Sequence, residues 1–279
     1  MSTPTIPRHM QRDRFAPVPE TQAARDEDDF PTIRTAIGTP ARLVTRYADV
    51  REVLGDAERF SNEGLPRLPM PDDGVDPRAG NLLAIDPPEH TRLRRLLTGE
   101  FTVKRIRRLE PRITEIVDDH LDAMAAAGPP ADLVSAFALP VPSLVICELL
   151  GVPYDDRAEF TERSARSLDS TISATERMQL ADASRAYMSS LVERHRAAPG
   201  EDLLGMLIRE HSDEITDDEL IGIGNLLLVA GHETTSNMLS LGTLALLEHP
   251  DQLARVRDDP GQVLTGQEFR IAQLVAQGL

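Results

Sequence analysis

Ala230-Gly231-His232-Glu233-Thr234-Thr235 interrupts the most apolar stretch of this 279-residue sequence, Ile221 to Leu247. Apolar residues flank this polar island on both sides, and upstream Thr216 and Glu219 form a Thr-x-x-Glu capping box that marks a helix start. A helix running from there to about Leu247 is roughly 48 Å long at 1.5 Å per residue, enough to cross a whole domain. Gly222, Gly224, Gly231 and Gly242 sit inside it, each costing about 1 kcal/mol relative to alanine. That cost is tolerated where something must approach the backbone closely. Leu227, Ala230, Gly231, Thr234 and Met238 follow helical spacing and share one face. Ala230 and Gly231 leave a shallow notch for a flat ligand, with Thr234 at its edge. Glu233 and Thr234 place an ionisable acid beside a hydroxyl, a pairing suited to proton delivery in a dry core. The same run also fits a buried polar kink in which Thr234 and Thr235 bond back to carbonyls one turn earlier. A buried Glu233 needs a partner or a task, because an unpaired buried carboxylate costs several kcal/mol.

From Pro87 onward the pattern is almost wholly helical, with helices predicted near 87–98, 104–126, 140–150, 155–169, 175–197, 201–210, 216–247 and 250–258. The breaks fall at Gly128-Pro129-Pro130, Gly151-Val152-Pro153 and Pro199-Gly200, where helix propensity is worst. Before that, residues 42–46 alternate like a strand and Tyr47 to Leu54 reads as a short helix with Val50, Val53 and Leu54 on one face. A long Pro- and Gly-rich loop follows from Leu65 to Gly80. The fold class is therefore mainly α, with a few short β-strands near the N-terminus.

Composition narrows the function. The net charge of −16, from 30 basic and 46 acidic residues, disfavours nucleic acid as a general partner. One cysteine, Cys147, excludes an internal disulfide framework. Polar residues interrupt the Ile221–Leu247 stretch, so it is not a membrane span. The N-terminus lacks an apolar leader. A cytoplasmic protein is the expectation.

Two motifs together carry a family resemblance. Ala230-Gly231-His232-Glu233-Thr234-Thr235 resembles the oxygen-activating motif on the long central helix of cytochromes P450, Ala/Gly-Gly-x-Asp/Glu-Thr-Thr/Ser, at every position. Upstream, Asp86-Pro87-Pro88-Glu89-His90-Thr91-Arg92-Leu93-Arg94 resembles the bacterial P450 segment whose His and Arg hold a haem propionate. Taken on its own, a His-x-x-x-Arg pair is more often a solvated basic helix face. The resemblance implies a P450 fold over residues 15–260 and haem as cofactor. It implies His90, Arg94, Ala230 and Gly231 as cofactor-binding residues, and Glu233 and Thr234 as the catalytic acid–alcohol pair. His232 takes the variable position and needs no special role. The implied reaction is monooxygenation of a small organic substrate, with electrons from NAD(P)H through a ferredoxin or flavin reductase. Residues 90–112 hold eight Lys or Arg and two acids. Arg92, Lys104, Arg105, Arg107 and Arg108 are the candidate face for that partner, although surface ion pairing explains single residues equally well.

The resemblance has gaps. The P450 iron ligand is a cysteine thiolate downstream of the central helix, and no cysteine follows Leu247 here, nor does a Glu-x-x-Arg pair. Cys147, on an apolar helix, reads as a small packing residue, so no residue is assigned to metal. The expectation is a P450 fold without its C-terminal haem-ligand portion, inactive alone, with apolar surface exposed around Leu226 to Leu228. Residues 1–14 read as a flexible tail. In 261–279, Thr265 and Glu268 make a second capping box, and the run resembles the opening helix of LuxR-type DNA-binding regulators. An inactive enzyme remnant, an enzyme completed by a second polypeptide, and a non-enzymatic regulator fusion all remain open at this point.

Overall fold

The computed structural model describes residues 11–13, 15–26, 30–35, 39–62, 76, 78–99, 101–167 and 172–259. They fall into two units, one drawn from Met1–Gly74 with Leu83–Thr91, the other from Val75–Leu82 with Arg92–Leu279.

The first unit holds two small antiparallel ribbons and two helices. Strand β1 (Arg12–Asp13) pairs with β2 (Ala16–Pro17), and β3 (Thr32–Arg34) pairs with β4 (Pro40–Arg42), Ile33 opposite Ala41. Helix α1 spans Pro19–Asp26 and α2 spans Tyr47–Gly55. The strand expected over 42–46 lies earlier, because Leu43 donates its N–H to Pro31 and the chain then turns into α2. Leu54 is exposed rather than packed. Asp86 accepts the Asn62 N–H at 3.1 Å and the Ser61 hydroxyl, which ties residues 61–62 to the lead-in of α3 (Glu89–Thr98). That helix starts two residues after the expected position, with the Asp86 carbonyl accepting the N–H of His90.

The second unit is helical. It contains α4 (Val103–Ala127), a π-helical turn (Val134–Ala138), α5 (Pro140–Leu150), a 3₁₀ turn (Tyr154–Asp156), α6 (Arg157–Ser167), α7 (Ala174–Ala197), α8 (Leu203–His211), α9 (Asp217–Glu248) and α10 (Pro250–Asp258). Helix α9 packs chiefly on α7 and α5. One core cluster joins Ile116, Val117, Leu121 and Met124 of α4 to Phe137, Ala138, Val141 and Leu239. Gly151 ends α5 in the left-handed region at φ +70°, and a side chain there would meet the Asp202 carboxylate at 2.4 Å. Asp202 in turn caps α8 through the Gly205 N–H at 2.9 Å.

Of the tail expected over 1–14, only 11–13 are described. Most of the long loop, and the capped helix with its regulator-like resemblance, lie outside the described residues. Among the described residues, no helix is long and apolar enough to cross a membrane.

Candidate functional site

The capping box forms as read. Thr216 Oγ1 accepts the Glu219 N–H at 3.2 Å, and Glu219 accepts the Thr216 N–H at 2.8 Å. It starts a 32-residue helix. Three of its four interior glycines are filled by protein. A methyl at Gly222 would lie 1.8 Å from the Ala79 carbonyl oxygen, one at Gly224 2.5 Å from Met188 Sδ, and one at Gly231 2.4 Å from Ile146 Cδ1. At Gly242 nothing comes nearer than Met238 Sδ at 3.9 Å. Close approach therefore explains the first three, and the approaching groups are a loop backbone, α7 and α5.

At the centre of α9, Ala230, Glu233 and Thr234 are exposed, Gly231 is half-buried and His232 is 1% exposed. Ala230 thus lines the open face, while Gly231 offers only its backbone there and gives its missing side chain to Ile146. Thr234 Oγ1 donates to the Ala230 carbonyl at 2.6 Å. The back-bond forms at Thr234, on an exposed turn rather than a buried one. Glu233 likewise lies outside the core, so it bears no burial cost. Leu228 is buried and Leu226 and Leu227 are half-buried. The exposed apolar face expected around 226–228 lies instead at Val229 and, further on, Met238, Leu241, Leu244 and Leu247.

His90 and Arg94 sit four residues apart on α3, His90 half-buried and Arg94 exposed. Neither side chain has a hydrogen-bond or ion-pair partner among the described residues. Arg92 differs. Its guanidinium binds Glu219 and donates to the Glu214 carbonyl at 2.7 Å, which joins α3 to the start of α9. Arg105 is engaged by Glu210 at 3.1 Å. Arg107 and Arg108 remain exposed. The side chain of Lys104 lies outside what is described.

Cys147 is fully buried, and burial pushes its thiol up to about 12, so it cannot present a thiolate. Among the described residues no His, Cys, Asp and Glu side chains cluster as a metal site. A cleft of about 250 Å³ is lined by Arg105, Arg108, Glu148 and Asp202 among others, and contains none of His90, Arg94, Ala230, Gly231, Glu233 and Thr234.

His232 is the residue that the motif reading passed over. Its Nε2 lies 3.1 Å from the Leu139 carbonyl, and its Nδ1 is buried with no partner. A signal was present: 228, 236 and 239 share its helical phase, and two of the three are leucines.

A 32-residue helix carrying an acid–alcohol turn and packed chiefly on α7 and α5 defines the class. The cytochrome P450 family model matches residues 27–198 and 178–276, and the chain belongs to that family. It is 47% identical over 273 residues to cytochrome P450 FAS1 of Rhodococcoides fascians, covering 95% of this chain and 68% of that protein. It is 47% identical over 251 residues to pentalenic acid synthase of Streptomyces avermitilis, covering 87% and 61%. Among solved structures, P450 StaH from glycopeptide antibiotic A47934 biosynthesis superposes with a TM-score of 0.77 at 42% identity, over 91% of this chain and 65% of that one. The chain thus spans somewhat under two thirds of the length of most of these relatives.

Proposed function

We propose that this chain is the oxygen-activating part of a bacterial cytochrome P450 monooxygenase acting on a small organic substrate. Haem, when bound, supplies the redox centre for inserting one oxygen atom into the substrate. By the motifs they match, His90 and Arg94 would bind its propionates, since an imidazole and a guanidinium can both donate to carboxylate. Ala230 and the backbone edge of Gly231 would lie against its flat face. These side chains have the chemistry that a carboxylate edge and a flat apolar face each call for. Cys147, buried and held as a thiol, would not serve as its thiolate ligand.

Glu233 and Thr234 are the proton-handling pair. The Thr234 hydroxyl gives its hydrogen to Ala230, which leaves its oxygen free to accept a bond from a substrate-side donor. Glu233, exposed one residue earlier, can exchange protons with solvent. Arg107 and Arg108 are the arginines of the basic segment left for an acidic ferredoxin or a flavin reductase carrying NAD(P)H electrons.

The observation that carries this reading is the common exposure of Ala230, Glu233 and Thr234 on one turn. Titration of haemin into the chain, followed by absorbance, tests it. Saturable binding is expected, weakened when His90→Ala and Arg94→Ala are combined. Binding indifferent to both changes would refute the assignment. The reduced carbon monoxide complex should show no thiolate signature from this chain, whose single cysteine is Cys147.

A further inference from the structure

Helix α9 has a rotational problem. Its exposed Val229, Met238 and Leu241 are as apolar as its buried Leu228 and Leu239. Apolar burial alone therefore discriminates poorly between one rotation of the helix about its axis and another. A polar contact that can be made in one rotation only removes the ambiguity, as single buried polar groups set register in other helical assemblies.

His232 makes such a contact. It is 1% exposed, and its Nε2 is 3.1 Å from the Leu139 carbonyl. A carbonyl only accepts, so Nε2 carries the proton. Nδ1 is then a bare nitrogen, buried without a partner. Leu139 is a firm anchor: it joins the π-helical turn to α5, donates its own N–H to Val134 at 3.0 Å, and is followed by Pro140. The residues in phase with His232, namely Leu228, Ser236 and Leu239, are all buried, while Ala230, Glu233 and Thr234 are exposed. Burial lowers the affinity of the ring for a second proton, against the opposing pull of Leu139 and Glu233. The facing stretch 133–147 carries no charged side chain, so exposed Glu233 is the charged neighbour that acts on the ring.

We infer that His232 is the positioning residue of α9: its bond to Leu139 sets which face of the helix turns outward, and so presents Glu233 and Thr234. The inference deepens the proposed oxygen-activating role, which supplies the consequence of that orientation, but its test does not need haem.

The test uses cysteine reporters in the full chain, where native Cys147 is buried and silent. Thr234→Cys should react rapidly with a thiol reagent and Ser236→Cys slowly. Adding His232→Phe, which fills the space without a donor, should lower the ratio of the two rates by about tenfold, and His232→Gln, which keeps an N–H, should hold it within about threefold. A ratio unmoved by phenylalanine overturns the inference. Should the phenylalanine variant fail to fold, nitrogen-15 spectra of the unmodified chain at about pH 8 still decide: the neutral ring should carry its proton on Nε2. An Nδ1–H ring also overturns it. If the chain binds no haemin while the labelling ratio behaves as stated, the proposed function fails and the positioning role stands.

Discussion

The guanidinium of Arg92 holds the carboxylate of Glu219, and the other oxygen of that carboxylate accepts the Thr216 N–H at 2.8 Å. One acidic side chain therefore closes the N-terminus of α9 and clamps it to α3, the helix that carries Arg94. Glu219 is 11% exposed and Arg92 31%, so water screens the pair in part.

Glu219→Ala removes the reciprocal cap and strands Arg92, and is expected to cost about 2–3 kcal/mol in urea unfolding. Glu219→Gln keeps an acceptor for Thr216 and should lose about half as much. A loss under about 0.5 kcal/mol for alanine would place the pair among weak surface ion pairs.

The glycines of α9 should separate sharply. Gly222→Ala drives a methyl into the Ala79 carbonyl, a backbone atom that cannot swing aside, so a loss of about 2–3 kcal/mol is expected. Gly242→Ala meets only Met238 Sδ at 3.9 Å and should gain up to about 1 kcal/mol from helix propensity. Equal effects at the two sites in thermal unfolding would contradict the packing described.

His195 and Asp202 form a buried pair at 2.9 Å that joins the end of α7 to the cap of α8. The bond to Asp202 raises the His195 pKa, with burial and Arg194 working against it. For Asp202, burial acts upward but the bonds from His195 and Gly205 prevail and lower its pKa. Stability from His195 is thus complete below its ordinary value of about 6.5 and is lost as pH rises through its raised folded value. Stability from Asp202 is present above the ordinary carboxylate range and lost as acid approaches its lowered folded value. Unfolding curves should accordingly show stability falling as pH rises above about 6.5, and Asp202→Asn should flatten that slope. An unchanged slope would remove the pair as its source.

Met238, Leu241, Leu244 and Leu247 are exposed apolar side chains spread around the later turns of α9. Exposed apolar surface of this kind recruits dyes and other chains. The chain should bind a hydrophobic dye and self-associate, and Leu241→Glu with Leu244→Glu should reduce both without unfolding the second unit. Association unaffected by the double change would locate the sticky surface elsewhere.

Much of this architecture was legible in advance because its signals are local. The breaks at Gly128, Gly151 and Pro199-Gly200 and the Thr216–Glu219 box act within one or two turns of chain, and the helices began and ended within a few residues of them. Helix α1 and the π-helical turn were missed. The first is short and polar, and the second differs from an α-helix only in bond register, which no residue pattern reports. His232 was passed over since a motif marks its position as variable.

By itself the sequence determined where the helices lie, that α9 is capped at Thr216, and which six residues match the family's motif, since backbone propensity and side-chain spacing act on near neighbours. Tertiary structure alone decided which side of α9 faces out, because apolar residues occur on every side of the helix and leave the choice weak until Ile146 and Leu139 take Gly231 and His232. It also decided which arginines stay free. Arg92 and Arg105 lose their freedom to Glu219 and Glu210, partners 127 and 105 residues away, and charges that distant in the chain meet only once the helices have packed.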